Sequence, residues 1–244
     1  MANTKNRIIA GFAAMMLAVA TFVCMAGSAW ADELPDSNYE SVTFTVDGSS
    51  YTTSVNIANM LPESSVTLPT VGGQFYKNNA WSVLATNRYV TINSIIDAAV
   101  MAYNNEEGAE LSLSDVWCSG KTISVKAVET DRTSGNRYVA TYAKYTWSYD
   151  ELTSATSFFN VDNSTTTLSG TPSSTNNVAV LAYTYGSCVV GDSAADTDAA
   201  KTTALNSQTT STYPRLILGC ESGWDTTQAM GKRYCYDVVG IIIS

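Results

Sequence analysis

Two β-rich runs at residues 41–46 and 51–57 flank Asp47-Gly48, and a dipeptide of that kind between two such runs predicts a β-hairpin. Gly72-Gly73 then breaks the chain ahead of residues 75–85, an apolar segment around Trp81 that reads as one strand. At Ile92 the period changes. Ile92, Ile95, Ile96, Ala99, Val100 and Tyr103 recur at helical spacing and share one face of an amphipathic helix, which Asn104-Asn105 and Gly108 bring to an end. Residues 121–129 and 137–145 read as strands joined by a polar turn at 131–136. Ser148-Tyr149-Asp150-Glu151 has the form of a capping box and opens a second short helix, 152–159. Two further apolar runs, 215–219 and 234–243, read as strands.

This succession predicts an α+β chain: a short linker at 32–40, then one domain over 41–244 with two short helices among strands. Two polar stretches interrupt it, at 160–177 and 191–212, the second almost wholly Asp, Ala, Ser, Thr and Gln. Structureless runs of that length are uncommon inside a compact domain, so both are expected to be mobile surface insertions. No internal repeat is evident. With 45% hydrophobic residues in 244, the chain has the material for a real core.

The amino terminus changes the picture by placing the protein. Lys5 and Arg7 precede an uncharged apolar run from Ile8 to Ala26, and Ala29-Trp30-Ala31 supplies the small-x-small pattern of a signal-peptidase site. Cleavage after Ala31 is expected, giving a secreted, extracellular protein with no membrane insertion; the other reading is an uncleaved anchor. Removing Lys5 and Arg7 from 13 basic residues leaves 11 against 22 acidic ones, a net charge of −11. Such a balance argues against partners held by phosphate neutralisation, so neither nucleic acid nor an anionic lipid surface is expected.

Export also bears on cysteine. Cys118, Cys188, Cys220 and Cys235 remain after cleavage, an even number in an oxidising compartment. Antiparallel pairing of the apolar runs beside Cys220 and Cys235 would bring those two sulfurs together and leave Cys118 for Cys188. The other reading is buried thiols that act as small hydrophobes.

The chain contains no histidine, which removes histidine triads, histidine-based zinc hydrolysis and imidazole acid/base catalysis. No dinucleotide glycine motif, phosphate loop or nucleophile elbow occurs. Asp192, Asp196 and Asp198 gather in the second polar stretch but lack the glycine and closing glutamate of a calcium loop, and read as solvated acids. Glu106-Glu107 and Asp150-Glu151 read as loop and helix-end charges. Among 14 tyrosines and 5 tryptophans, Trp224 stands out, lying between the two cysteine-bearing runs; it reads either as the tip of a binding loop or as cover for a small satellite core.

Trp81, the helix segment 90–98, the strand 125–131 ending in Asp131, then 181–186, 214–219 and Lys232 to Tyr234 follow one another in an order that resembles a known family. The chain resembles the molybdopterin-binding domain of the sulfite-oxidase superfamily, and more closely its stand-alone secreted versions in Gram-positive bacteria. The resemblance covers residues 75–244 and implies a mixed β-sheet, barrel-like fold. It also implies that Asp131, Arg215 and Lys232 match positions contacting the pterin or its phosphate, a task that suits the planar fork of arginine. The other reading makes Arg215 a structural strand residue and Asp131 a turn cap. Two departures count against the family's chemistry. Its molybdenum-ligating cysteine lies before the tryptophan strand, where this chain has none after cleavage, and its histidine near the pterin phosphate is absent. No catalytic or metal-ligating residue is therefore assigned and no cofactor is expected. The expectation is a secreted, non-catalytic binding or interaction module on a degenerate molybdopterin-binding scaffold, with an unidentified extracellular ligand or protein as partner. The alternatives are an active molybdopterin-dependent oxidoreductase and a structural cell-surface protein.

Overall fold

In the computed structural model the chain divides into two units, Met1–Glu33 and Leu34–Ser244. The structure describes residues 34–66, 68–77, 80–153, 177–191, 197–220, 228–230 and 235–244. The signal segment, the insertion at 160–177 ahead of Asn177, Asp192, Asp196, Trp224 and Lys232 lie outside them. No helix among the described residues is long and apolar enough to cross a membrane.

The strands form two mixed sheets. The first joins β1 (Tyr39–Val46), β2 (Ser49–Asn56), β6 (Thr122–Thr130), β7 (Arg137–Ser148) and β11 (Val238–Ile243) in the order β2-β1-β11-β6-β7. The second joins β10 (Gln228–Met230), β3 (Val71–Lys77), β4 (Ala80–Thr86), β8 (Asn177–Gly191) and β5 (Val90–Thr91) in that order, with β9 (Thr209–Cys220) along β8. Each sheet holds one parallel pair, β1 with β11 and β10 with β3. The barrel-like expectation is corrected: β9 returns to β3 only at Gly72 opposite Cys220, one bridge where closure requires a continuous staggered ladder.

The first hairpin forms where expected. Asp47 and Gly48 take φ of 49° and 78°, the left-handed pair that suits a two-residue turn between twisted strands. The apolar segment 75–85 is two strands rather than one, because β3 and β4 fold into a hairpin whose register closes at Lys77 opposite Ala80; Gly72 and Gly73 lie inside β3. Residues 34–38 are tied down ahead of β1 rather than hanging as a linker. Tyr213 donates to the Pro35 carbonyl at 2.9 Å, Tyr183 donates to the Ser37 carbonyl, and Leu34 packs beside Val128, Tyr213 and Val239.

Helix α1 (Ile92–Glu107) begins directly after β5. Thr91 caps it, accepting from the Ser94 amide at 3.1 Å, and it runs through Asn104-Asn105 to close at Gly108, φ 66°, the last of the residues expected to end it. Its Ile92, Ile95, Ile96, Ala99 and Val100 are buried in a core shared by both sheets, with Phe44, Trp147, Leu84 and Leu216. The single turns α2 (Leu113–Val116) and α3 (Tyr149–Thr153) follow later in the chain. The polar stretch at 191–212 departs furthest from expectation: it supplies helix α4 (Thr197–Asn206) and the start of β9. Ala200 and Ala204 pack on Val83 and Ala85 of β4, so this helix is held by close approach of small side chains rather than by an apolar stripe.

Strand β11 pairs with β1 and β6, not with β9, so the strand pairing that would have aligned Cys220 with Cys235 does not form. The Cys235 carbonyl instead accepts from the Leu216 amide at 2.9 Å. Cys118, Cys188 and Cys235 are thiols.

Candidate functional site

Pairing of β8 with β9 is regular on either side of one interruption. Ala182 stands opposite Arg215 and Thr184 opposite Thr210, so four residues of β9, 211–214, face the single residue Tyr183. Pro214 has no N–H to give a ladder, and a bulge is where a strand tolerates it. The bulge brings Ser211 and Thr212 beside Tyr183 and Thr184 in the wall of a cleft of about 310 Å³, with Thr210 next to them.

Three other segments complete the cleft: Asn38 ahead of β1, Ala58 and Leu61 after β2, and Arg88 between β4 and β5. Each is fixed by hydrogen bonds its sequence supplies. Asp36 accepts from both the backbone and side-chain nitrogens of Asn38, at 2.9 and 3.0 Å. The Asn38 carbonyl accepts from Ile57 at 3.0 Å and from Ala58 at 3.4 Å. The buried Thr86 hydroxyl donates to the Thr184 carbonyl at 2.7 Å and accepts from the Arg88 amide at 3.2 Å, so one side chain pins the Arg88 turn to β8.

Hydroxyl groups dominate the floor. The Thr184 and Thr210 hydroxyls bond each other at 3.0 Å, and the Ser211 hydroxyl bonds Tyr185 at 3.0 Å. Each hydroxyl in such a pair keeps hydrogen-bonding capacity for a third group. Tyr183 uses its proton on the Ser37 carbonyl, which leaves its ring to line the cleft. Burial, then the negative charges of Glu40 and Asp36, raise its phenol pKa, so it stays a neutral donor. Among the described residues of the lining Arg88 is the only charged group, and none is a carboxylate or a thiol. Its guanidinium makes no hydrogen bond or ion pair among the described residues, and its Nε is buried. Among the described residues of this wall no nucleophile is paired with a base.

Behind the wall lies Glu40. It is fully buried on the face of β1 that also carries Val42 and Phe44, and neither carboxyl oxygen has a hydrogen-bond partner among the described residues. Burial lifts its pKa well above the ordinary carboxylate value. A second, more apolar cleft of about 720 Å³ lies between the 60–69 loop and the start of α1, lined by Met60, Leu68, Tyr89 and Val90 among others.

The residues expected from the sequence sit elsewhere. Asp131 accepts from Thr133 and Ser134 amides at 2.7 and 3.3 Å in the exposed β6–β7 turn, and these bonds, Thr133 first, lower its pKa. It caps a turn, as its plainer reading held. Arg215 is 3% exposed, with its guanidinium carbon 3.6 Å from the centre of the Tyr236 ring and 5.2 Å from that of Tyr185. Burial lowers its pKa while the two tyrosines oppose that shift. The Arg215 guanidinium is buried against the two rings, and Asp131 faces its own turn. Cys235 is no thiolate either: burial, against a lowering by Arg215, pushes its thiol up to about 12. Among the described residues no three histidine, cysteine or acidic side chains are placed to hold a metal ion. Of the three residues carried over from the family, Asp131 is engaged in its own turn, Arg215 is packed against two tyrosine rings, and Lys232 lies outside the described residues.

Sequence reasoning singles out none of Arg88, Asn38 and Thr210 to Thr212: the first falls between a strand and a helix segment, the second in the expected linker and the others in the second polar stretch. Lone polar residues in such places carry no periodic signal. Glu40 did have one: counted back in twos from Phe44 and Val42, it falls on the buried face. Comparison with protein-family models, with curated proteins and with solved structures finds no match for this chain.

Proposed function

We propose that this chain is an exported, non-catalytic binding module whose ligand occupies the cleft between the β8–β9 bulge, the Arg88 turn and the segment before β1. The observation that carries this reading is the lining itself: hydroxyls, an amide and one cation converge in a cleft at the lower end of ligand-site volumes, with no reactive pair among them. The family's pterin chemistry gains no support from Asp131 or Arg215, so the scaffold, if shared, serves another ligand. Export itself rests on the basic, apolar and small-x-small segments of residues 1–31.

The test is a thermal-shift screen of mature protein, residues 32–244, against soluble saccharides, amino acids and short peptides, repeated on Ala58→Trp, which fills the cleft. A ligand that raises the unfolding temperature of the parent but not of Ala58→Trp supports the reading. Elemental analysis and oxidised-pterin fluorescence on protein exported from a Gram-positive host supply the opposite outcome. Stoichiometric molybdenum with pterin would overturn the reading in favour of an oxidoreductase.

A further inference from the structure

Arg88 combines three observations that separate it from an ordinary surface arginine. Its backbone is fixed on both sides: ahead of it the Arg88 amide donates to the Thr86 hydroxyl and the Asn87 carbonyl accepts from the Leu68 amide, each at 3.2 Å, and behind it the Arg88 carbonyl lies 3.2 Å from the same Thr86 hydroxyl. Its Nε is buried with no acceptor among the described residues, and its guanidinium lies in no ion pair among them. Neither terminal nitrogen is among the buried unpartnered atoms, so Nη1 and Nη2 are the donors left open to an acceptor that a ligand delivers. The chain carries a net charge of −9, so Arg88, the one cation among the described residues of this lining, is a feature of the cleft rather than part of a generally basic protein.

The rest of the lining sets the remainder of the ligand. Thr184, Thr210 and Ser211 offer hydroxyls that both donate and accept, and Asn38, with its amide nitrogen held by Asp36, keeps its side-chain oxygen as an acceptor. Alternating donors and acceptors with one ring, that of Tyr183, match a polyhydroxylated body. A guanidinium matches a carboxylate, which it grips through two parallel bonds.

We infer that the cleft selects a sugar acid, a saccharide carrying a carboxylate, with Arg88 gripping the carboxylate and the Thr184–Thr210–Ser211 hydroxyls reading the sugar hydroxyls. This rests on the cleft being the ligand site. It goes further in naming the ligand class and the residue that decides it.

Glucuronate, glucose and acetate are titrated into ¹⁵N-labelled mature protein and into Arg88→Gln, Arg88→Lys and Ala58→Trp, each first checked for an unchanged fold by its amide spectrum. The expected result is that glucuronate binds the parent about tenfold more tightly than glucose or acetate. Arg88→Gln brings it to the level of glucose, Arg88→Lys falls between because it keeps the charge without the fork, and Ala58→Trp abolishes all binding. Equal binding of glucose and glucuronate, unchanged in Arg88→Gln but lost in Ala58→Trp, would overturn the sugar-acid assignment while leaving the cleft as the site. Acetate binding as tightly as glucuronate would overturn the sugar half and leave a simple anion site. Binding of glucuronate that survives Ala58→Trp would overturn both the assignment and the cleft. No binding of any of the three overturns the assignment, and the cleft then stands or falls by the thermal-shift screen.

Discussion

The two principal helices of the molecule hold to it in opposite ways. Helix α1 buries Ile92, Ile95, Ile96, Ala99 and Val100 in the shared core, so it is fastened by volume. Helix α4 buries Ala200 and Ala204 against Val83 and Ala85, and it comes so near the sheet that a Cβ built on Gly186 would lie 1.6 Å from the Ala204 carbonyl oxygen. It is fastened by proximity. Where volume holds an element, removing atoms should hurt; where proximity holds it, adding them should.

The largest expected effect tests the second half of that statement. Gly186→Ala places its new methyl against backbone, which cannot rotate away as a side chain can, so α4 must move off β8. We expect a loss of about 4 kcal/mol, beyond the usual 1–3 for overpacking, read as a lowered denaturation midpoint. An effect below that of a surface substitution would show that α4 is free to shift and would break the comparison. Next comes Ile96→Ala on α1. The side chain is fully buried, and the truncation should cost about 3 kcal/mol through lost burial and the cavity left behind.

Glu40 sharpens the contrast from within the volume-packed side. It lies on the core face of β1 with Val42 and Phe44, yet it is a carboxyl whose oxygens find no partner among the described residues. Replacing it by leucine, which keeps volume and removes the polar group, should raise stability at pH 7 by about 2 kcal/mol. Its raised pKa gives a second signature. The folded state keeps a proton that the unfolded chain releases, so stability is greatest below the unfolded pKa and falls as pH rises towards the folded value. Glu40→Leu should abolish that part of the decline. Denaturant titrations at pH 4 and pH 7 on both proteins measure it, and parallel curves would refute the assignment.

The same contrast explains what could be read from the sequence. Helix α1 was legible because five large or branched residues repeat at helical spacing, and the first hairpin because Asp47-Gly48 demands a particular turn. The β6–β7 pair was legible from two β-rich runs around the polar turn that Asp131 opens. Helix α4 was not, since alanine and threonine score as polar spacer in a pattern search, and its reason for docking is Gly186, eleven residues upstream of its first turn. The candidate site was still less legible. Its parts lie at positions 38, 58, 88, 183 and 210–212, and only the fold brings them together. Of the residues that sequence order did single out, Asp131 is engaged in a turn, Arg215 is packed against two tyrosine rings, and Lys232 lies outside the described residues.

The smallest effect concerns how each helix starts. Thr91 is at once the last residue of β5 and the cap of α1, so the chain passes from strand to helix with no loop between. Its hydroxyl accepts from the Ser94 amide at 3.1 Å and bonds the Ser94 hydroxyl at 2.7 Å. Thr91→Ala should cost about 1 kcal/mol, the usual price of losing a cap, and Thr91→Ser should restore most of it. Because Ile92, Ile95 and Ile96 hold the first turn of α1 into the core independently, hydrogen exchange should quicken only at the amides the cap served and leave the rest of the helix protected. Exchange that quickens along the whole of α1 would mean that the cap, not the buried volume, fixes this helix, and the distinction between the two helices would then lie in their starts rather than in their packing.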